Sequence, residues 1–101
     1  MARKVKITVV KRDLYKDLVD KYAADKNLTI CNLFNDEQEF VLNEINMPEG
    51  FCSWAWADIH RDVVAVFFGA SYKWINKENL IVSCCTDGLR PVTFKIEAID
   101  E

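Results

Sequence analysis

The sequence predicts an α+β domain with two layers, in which an antiparallel or mixed β-sheet carries two helices packed on one face. Several segments alternate polar and apolar residues, as half-buried strands do, and two longer segments carry apolar residues at helical spacing. The order is strand, helix, short strands, helix, strand, strand, and one layer of helices over one sheet buries every apolar face. Because the chain has 101 residues, we expect residues 1–101 to form a single domain.

The first half of the chain predicts three strands and one helix. Residues 4–10 alternate polar and apolar side chains, which indicates a half-buried strand. Asp13 is a plausible N-cap for an amphipathic helix that runs to about Ala24. Short strands are expected at Asn27–Cys31 and Glu39–Leu42, followed by a loop that contains Asn, Pro and Gly.

The second half predicts a long helix and a β-hairpin. Ser53 can cap a helix over residues 53–70 that is apolar around most of its circumference. A domain of this size cannot easily cover such a helix on all sides, so we expect a homo-oligomer that assembles through it. Leu80–Cys85 and Pro91–Ile99 each alternate in character, and the Asp-Gly turn between them predicts an antiparallel pair.

Composition excludes several classes of partner. The 16 acidic and 13 basic residues give a net charge of −3, so we expect no nucleic-acid partner, because binding to phosphate backbones requires clustered Lys and Arg. No apolar run is long enough to span a bilayer, so we expect no membrane association. The N-terminal residues lack the apolar core of a secretory signal, which favours a cytoplasmic protein. In that reducing compartment the four cysteines are interpreted first as thiols, ligands or catalytic groups.

The cysteines are the main candidates for chemistry. Cys52 directly precedes Ser53, and the positive end of a helix dipole favours the thiolate, which is the nucleophilic and metal-binding form. The alternative is that Cys52 is a small buried apolar residue. Cys31, Cys52, Cys84 and Cys85 are candidate metal ligands, although none of them forms a Cys-x-x-Cys pair. Cys84 and Cys85 are adjacent, so in a regular strand their side chains lie on opposite faces.

Other side chains near these thiols are candidates for binding or catalysis. The candidate catalytic residues are Cys52, Cys85 and Arg90. Arg90 follows the turn after Cys85 and could hold an anionic substrate. The alternative for Arg90 is a solvated charge at the turn. The candidate ligand-binding residues are Trp54, Trp56, His60 and Asp87. The tryptophans could form an aromatic wall or simply core and interface, and His60 could be a general base or a surface residue. No pattern identifies a cofactor.

Residues 47–59, MPEGFCSWAWADI, and residues 84–97, CCTDGLRPVTFKIE, resemble the motifs of a family of small, uncharacterised prokaryotic proteins. The likeness extends over nearly the whole chain and implies a stand-alone domain. All four cysteines coincide with cysteines of the family pattern, which implies a shared thiol site. Residues 31–34, CNLF, and residues 37–40, EQEF, also correspond to segments of the pattern, with Asn32 and Glu37 where it has Pro and Gly. His60 has no counterpart in it.

Two functional hypotheses follow. The first is a thiol-centred pocket that binds a small molecule or a metal ion, or that performs thiol chemistry. The second is a non-catalytic oligomerisation or interaction module with structural cysteines. Whether the protein is an enzyme stays open. Geometry discriminates between the two, because at least two cysteine sulfurs within about 4 Å of each other beside a cavity that reaches solvent support the first, and thiols dispersed in a dry core support the second.

Overall fold

A computed structural model describes residues 3–100 and contains one four-stranded antiparallel sheet with two helices. The elements are β1 (Arg3–Arg12), α1 (Lys16–Tyr22), β2 (Glu39–Leu42), α2 (Ser53–Phe67), β3 (Leu80–Cys84) and β4 (Val92–Asp100). The strand order is β2-β1-β4-β3. The predicted α+β class is confirmed, with a sheet that is antiparallel throughout.

Strand β1 is long because it lies in the middle of the sheet. Ile7 faces Phe40 of β2 on one side and Ile96 of β4 on the other, and it is fully buried. The register of β1 against β4 shifts between Val9 and Lys11. This β-bulge places an extra residue in the strand, so Val10 is turned to solvent while its neighbour Val9 is fully buried.

Helix α2 forms the second layer over the sheet, where it contacts β1, β3 and β4. Its fully buried side chains Ile59, Val63 and Val66 follow one another at helical spacing and belong to the core cluster. The helix begins at Ser53 with Cys52 as the N-cap, one residue earlier than predicted. Gly69, with φ of +89°, lies just beyond its end, as expected of a glycine that terminates a helix.

Helix α1 is shorter than predicted because tertiary hydrogen bonds use the residues before it. The backbone N–H of Asp13 donates to the carbonyl of Pro91 at 2.9 Å, and that of Tyr15 donates to Leu89 at 2.9 Å. Asp13 is therefore not the N-cap, and the helix starts at Lys16. The predicted strand over residues 27–31 is also wrong, because Asp25 organises a turn there by accepting a hydrogen bond from the Asn27 N–H.

A buried carboxylate fixes the segment that follows α2. Asp62 is 3% exposed and accepts a 2.8 Å hydrogen bond from the hydroxyl of Tyr72. This hydrogen bond, together with burial, raises the pKa of Tyr72 above its ordinary value of 10.0. The Tyr72 ring in turn stacks on Trp74 with ring centroids 4.7 Å apart. Of the helices that the structure describes, none is both long and apolar enough to cross a membrane.

Candidate functional site

A cavity of about 390 Å³ lies where three separate segments meet: the loop before β2, the start of α2, and the β3–β4 turn. It is lined by Cys31, Leu33, Phe34, Cys52, Trp54, Ala55, Cys85, Thr86, Asp87, Gly88, Arg90 and Val92. Its size lies within the range of ordinary small-molecule sites, roughly 300–1,000 Å³. Three of the four cysteines of the chain thus reach one cavity from distant positions in the sequence.

The turn before α2 delivers Cys52 to this cavity. Gly50 has φ of +82°, and the N–H of Phe51 donates to the carbonyl of Pro48 at 3.3 Å, which is the geometry of a turn that requires glycine at its third position. Phe51 then enters the core, where it is 7% exposed, and the next residue, Cys52, becomes the N-cap with extended backbone angles.

The start of α2 presents unused hydrogen-bond donors. The first helical hydrogen bond runs from the N–H of Trp56 to the carbonyl of Cys52 at 2.9 Å, so the preceding N–H groups of the first turn have no partner within the helix. Within the described chain no side chain caps this end, and no acidic residue lies in the first turn. The positive end of the helix dipole therefore lies at the cavity wall formed by Cys52, Trp54 and Ala55.

Arg12 holds the second wall in place. Its Nη1 donates to the carbonyls of Cys31 at 2.9 Å and Phe34 at 3.0 Å, and its Nε donates to Asp36 at 2.9 Å. The hydrogen bond from Arg12 lowers the pKa of Asp36 below its ordinary value of 3.8. Phe34, only 1% exposed, packs its ring edge-on against Phe51 with centroids 5.0 Å apart. The loop is thus fixed both by charge and by packing.

The β3–β4 turn supplies the third wall. The buried Cys85 pairs with Val92 through its backbone, and its sulfur accepts a 3.3 Å hydrogen bond from the Val92 N–H. Asp87 Oδ1 accepts from the N–H groups of Leu89 and Arg90, both at 2.9 Å. Partial burial raises the pKa of Asp87, but these two N–H groups and the Arg90 guanidinium together lower it further, so the pKa lies below its ordinary value of 3.8.

Arg90 and Asp87 form an ion pair at the cavity wall, with Nε and Oδ2 separated by 3.3 Å. Within residues 3–100 this is the only partner of the Arg90 side chain, so its terminal nitrogens Nη1 and Nη2 remain for another acceptor. A guanidinium presents its donors as a planar fork that matches a carboxylate or phosphate. The cavity therefore combines thiols, a guanidinium and a helix N-terminus with an apolar wall.

Thr86 ties the turn to α2. Asp58 accepts hydrogen bonds from the backbone N–H of Thr86 at 2.8 Å and from its hydroxyl at 2.9 Å. On the other side the indole Nε1 of Trp54 lies 3.5 Å from the same hydroxyl oxygen. Trp54 lies at the mouth of the cavity and is 69% exposed. These contacts hold it beside the turn, which is itself fixed to α2.

Six of the predicted site residues line this one cavity: Cys31, Cys52, Trp54, Cys85, Asp87 and Arg90. Three others do not. Cys84 is the last residue of β3 and is exposed. Cys85, directly after the strand, is buried, which continues the alternation of side chains along a strand. Trp56 packs against the core and against Phe51. His60 Nε2 lies 3.2 Å from the carbonyl oxygen of Ile45, which is the acceptor of this hydrogen bond.

The metal-site hypothesis named all four cysteines as candidate ligands, but Cys84 lies outside the cavity that Cys31, Cys52 and Cys85 line. Over residues 3–100 no group of three or more His, Cys, Asp or Glu side chains is placed to hold a metal ion.

Sequence reasoning missed the residues that position the site. Arg12 and Asp58 contact the cavity walls through hydrogen bonds. Arg12 lies outside both motifs, and Asp58 lies within residues 47–59, where nothing indicates its hydrogen bonds to Thr86. Phe34, at the cavity wall, did carry a signal, because it lies in the Cys31–Phe34 segment of the family-like pattern. Thr86 likewise precedes the Asp-Gly turn, whose sequence indicated only a change of direction.

Comparisons with protein-family models, with curated proteins and with solved structures find no match to this chain. The resemblance to small prokaryotic proteins therefore stays a prediction.

Proposed function

We propose that the protein binds a small organic molecule in this cavity, with Cys52 as the thiol available for chemistry on it. The observation that carries the proposal is the convergence of Cys31, Cys52 and Cys85, from three distant segments, on one cavity. Thiols dispersed in a dry core would instead favour a purely structural role. All four cysteines are free, so we infer that the protein works in a reducing compartment such as the cytoplasm.

The lining favours a ligand with two parts. Leu33, Phe34 and Trp54 offer an apolar surface for a hydrocarbon or aromatic body. Arg90, with two free terminal nitrogens, suits an anionic group such as a carboxylate. Asp87 already balances part of this charge, so recognition depends on the geometry of the guanidinium fork rather than on a strongly positive field.

The three thiols differ in burial and in their position in the fold, and these differences assign them different roles. Cys52 is partly exposed and is placed at the N-cap of α2, where unpaired N–H groups favour an anion. Cys85 is buried, and its sulfur already accepts a hydrogen bond from Val92. Cys31, like Cys52, is partly exposed and packs against the core, but it lies in a loop and not at the start of a helix. Cys52 is therefore the nucleophile of the proposal, and the other two form the wall.

Alkylation with iodoacetamide near neutral pH tests the role of Cys52. Its sulfur displaces iodide, and mass spectrometry of peptides measures the rate at each cysteine. We expect Cys52 to react faster than a model thiol and faster than Cys84, although Cys84 is more exposed. The variant Cys84→Ser is the control and should leave the rate at Cys52 unchanged. A rate at Cys52 no higher than that of the model thiol contradicts the proposal.

A screen of small aromatic and aliphatic carboxylates tests the ligand class separately. A compound that occupies the cavity should protect Cys52 from alkylation, and Arg90→Gln should weaken its binding. Arg61→Gln is the matched control, because the Arg61 side chain is 85% exposed and lies outside the cavity. Equal loss of binding in the two variants would contradict the assignment of Arg90 as the anion contact.

A further inference from the structure

Among the residues that the structure describes, Asp87 and Arg90 are the only charged side chains in the lining of the cavity. The rest of the lining is apolar or consists of cysteine thiols, a glycine and the hydroxyl of Thr86. The two charged groups lie side by side, with Arg90 Nε and Asp87 Oδ2 separated by 3.3 Å. One part of the wall therefore presents an anion and a cation together, while the remainder offers contacts to an uncharged body.

Neither charged group is saturated by the other. Asp87 Oδ1 accepts hydrogen bonds from the backbone N–H groups of Leu89 and Arg90, both at 2.9 Å. Within residues 3–100, Oδ2 has Arg90 Nε as its single partner, at 3.3 Å, which is longer than the usual N–H···O distance of about 2.9–3.0 Å. A carboxylate has about four lone-pair sites, so Oδ2 can accept a further donor. Over the same residues, Arg90 keeps Nη1 and Nη2 for a second acceptor.

We propose that the ligand of the cavity is an α-amino acid with an apolar side chain, whose carboxylate binds Arg90 and whose ammonium group binds Asp87. This assignment rests on the proposed function and specifies the class of ligand for the same cavity. An α-amino acid carries both charges on one carbon atom, so they are adjacent, as those of Arg90 and Asp87 are. Its side chain then contacts the apolar wall formed by Leu33, Phe34 and Trp54.

Charge balance in the cavity favours an amino acid over a plain carboxylate or a plain amine. Although burial acts to raise the pKa of Asp87, the N–H groups of Leu89 and Arg90 hold it below the ordinary value of 3.8, so this carboxylate is ionised near neutral pH. A plain carboxylate on Arg90 places a second negative charge beside Asp87, and a plain amine on Asp87 places a second positive charge beside Arg90. Both side chains are about two-thirds buried, so solvent screens this repulsion only in part. An amino acid gives each of them an opposite charge.

The segment that carries the two charged groups is fixed before a ligand binds. Asp87 orders the turn through its bonds to the N–H groups of Leu89 and Arg90, and Thr86 ties the turn to Asp58 of α2. Binding therefore costs little ordering of the turn, and the spacing between anion and cation is set by the fold. A pair held in this way discriminates between ligands by the separation of their charges as well as by their sign.

NMR titrations of the wild-type protein near neutral pH with two matched series of compounds test the proposal. The first series is phenylalanine, hydrocinnamate and phenethylamine, and the second is leucine, isocaproate and isopentylamine. Within each series the apolar body is constant, and only the ammonium or the carboxylate is removed. We expect the amino acid to bind about tenfold or more tightly than the carboxylate and the amine of its own series, because each removal deletes a hydrogen bond between charged groups.

Two variants assign the preference to the charged pair. Asp87→Asn keeps an acceptor oxygen for the turn but removes the negative charge, so it should bind the amino acid and the plain carboxylate of a series with similar Kd. Arg90→Gln should weaken the binding of both by about tenfold or more. Asp20→Asn is the matched control, because Asp20 is an exposed carboxylate outside the cavity, and it should leave every Kd unchanged.

The outcomes separate this assignment from the proposed function. If plain carboxylates bind the wild-type protein as tightly as the amino acids do, the amino-acid assignment is overturned and the carboxylate-binding cavity stands. An Asp87→Asn variant that keeps the wild-type preference also overturns the assignment. If no compound of either series and no carboxylate of the wider screen binds, both proposals fail. The comparison of ligands on the wild-type protein needs no variant, so it decides the question even if a substitution unfolds the chain.

Discussion

The hydrogen bonds that Asp58 accepts from Thr86 join α2 to the β3–β4 turn, and their removal tests how the cavity is held together. Asp58 accepts one hydrogen bond from the backbone N–H of Thr86 at 2.8 Å and another from its hydroxyl at 2.9 Å. Asp58→Ala removes both contacts, whereas Thr86→Val removes the hydroxyl contact and keeps the backbone one. The pair of variants therefore separates the two bonds.

The expected magnitude follows from the charge of the acceptor and from its exposure. A hydrogen bond to a charged group contributes roughly 1.5–3 kcal/mol. The contact between Asp58 and Thr86 is open to solvent, so each of its two hydrogen bonds is expected to contribute less than this, about 1 kcal/mol. We expect Asp58→Ala to lower the free energy of unfolding by about 2 kcal/mol and Thr86→Val by about 1 kcal/mol. In a domain of this size each kcal/mol corresponds to roughly 4–8 °C in Tm.

Urea unfolding and thermal unfolding of both single variants and the double variant measure these values. The matched control is Asp20→Ala, which also replaces a helical Asp but removes only an exposed ion pair with Lys16. It should cost about 0.5 kcal/mol or less. Because both Asp→Ala changes gain the same helix propensity, the difference between them isolates the contacts to Thr86.

A second readout concerns the turn itself. Without its tie to α2, the turn should open more often, and the buried thiol of Cys85 should react faster with iodoacetamide. If Asp58→Ala resembles Asp20→Ala in stability and leaves Cys85 as protected as in the wild type, the reasoning is refuted. A double variant about as stable as Asp58→Ala is the expected result, since the hydroxyl then keeps only its long 3.5 Å contact with the Trp54 indole.

Four further changes test other parts of the fold. Glu37→Gly should stabilise the protein by up to about 1 kcal/mol in urea unfolding, because Glu37 has φ of +65°; Glu37→Ala should show no such gain. Phe34→Ala should destabilise it by about 3–5 kcal/mol, since the ring is 1% exposed at the cavity wall, and a loss below 1 kcal/mol would contradict this. Tyr72→Phe should cost about 1–3 kcal/mol by leaving the buried Asp62 carboxylate without its donor. Asp87→Asn should flatten the loss of stability below about pH 4: the folded pKa of Asp87 lies below its unfolded value, so its contribution is present above that value and disappears as the pH falls. If the stability of Asp87→Asn falls at acid pH just as that of the wild type does, this last prediction is contradicted.

Local patterns predicted most of the secondary structure, and tertiary contacts explain the departures. Alternation identified the central strand, but the bulge that turns Val10 outward depends on pairing with β4. Asp13 has the chemistry of an N-cap, yet its N–H donates to the carbonyl of Pro91, the residue just before β4. Glu37 has a positive φ and stands where the family-like pattern has glycine. No propensity scale would indicate this backbone conformation for a glutamate.

The candidate site could be predicted only in part, for a related reason. Cys52, Cys85 and Arg90 each drew attention through local chemistry, and the cavity brings them together. Their proximity depends on the strand order, which places the start of α2 beside the β3–β4 turn. The residues that fix this arrangement, Arg12 and Asp58, act through hydrogen bonds to segments that are distant in the chain, and no local pattern in the sequence indicates such bonds.

The way the walls are anchored indicates where ligand affinity should come from. Each wall has its own tie: Arg12 for the loop with Cys31, Asp58 for the turn, and internal bonds of Asp87 for Arg90. A ligand therefore need not order these segments, and little conformational entropy opposes binding. Of the side chains that line the cavity, the exposed large apolar ones are Leu33 and Trp54, at 64% and 69%. Affinity should accordingly rise with the apolar area that a ligand covers on these two side chains, while Arg90 governs its orientation.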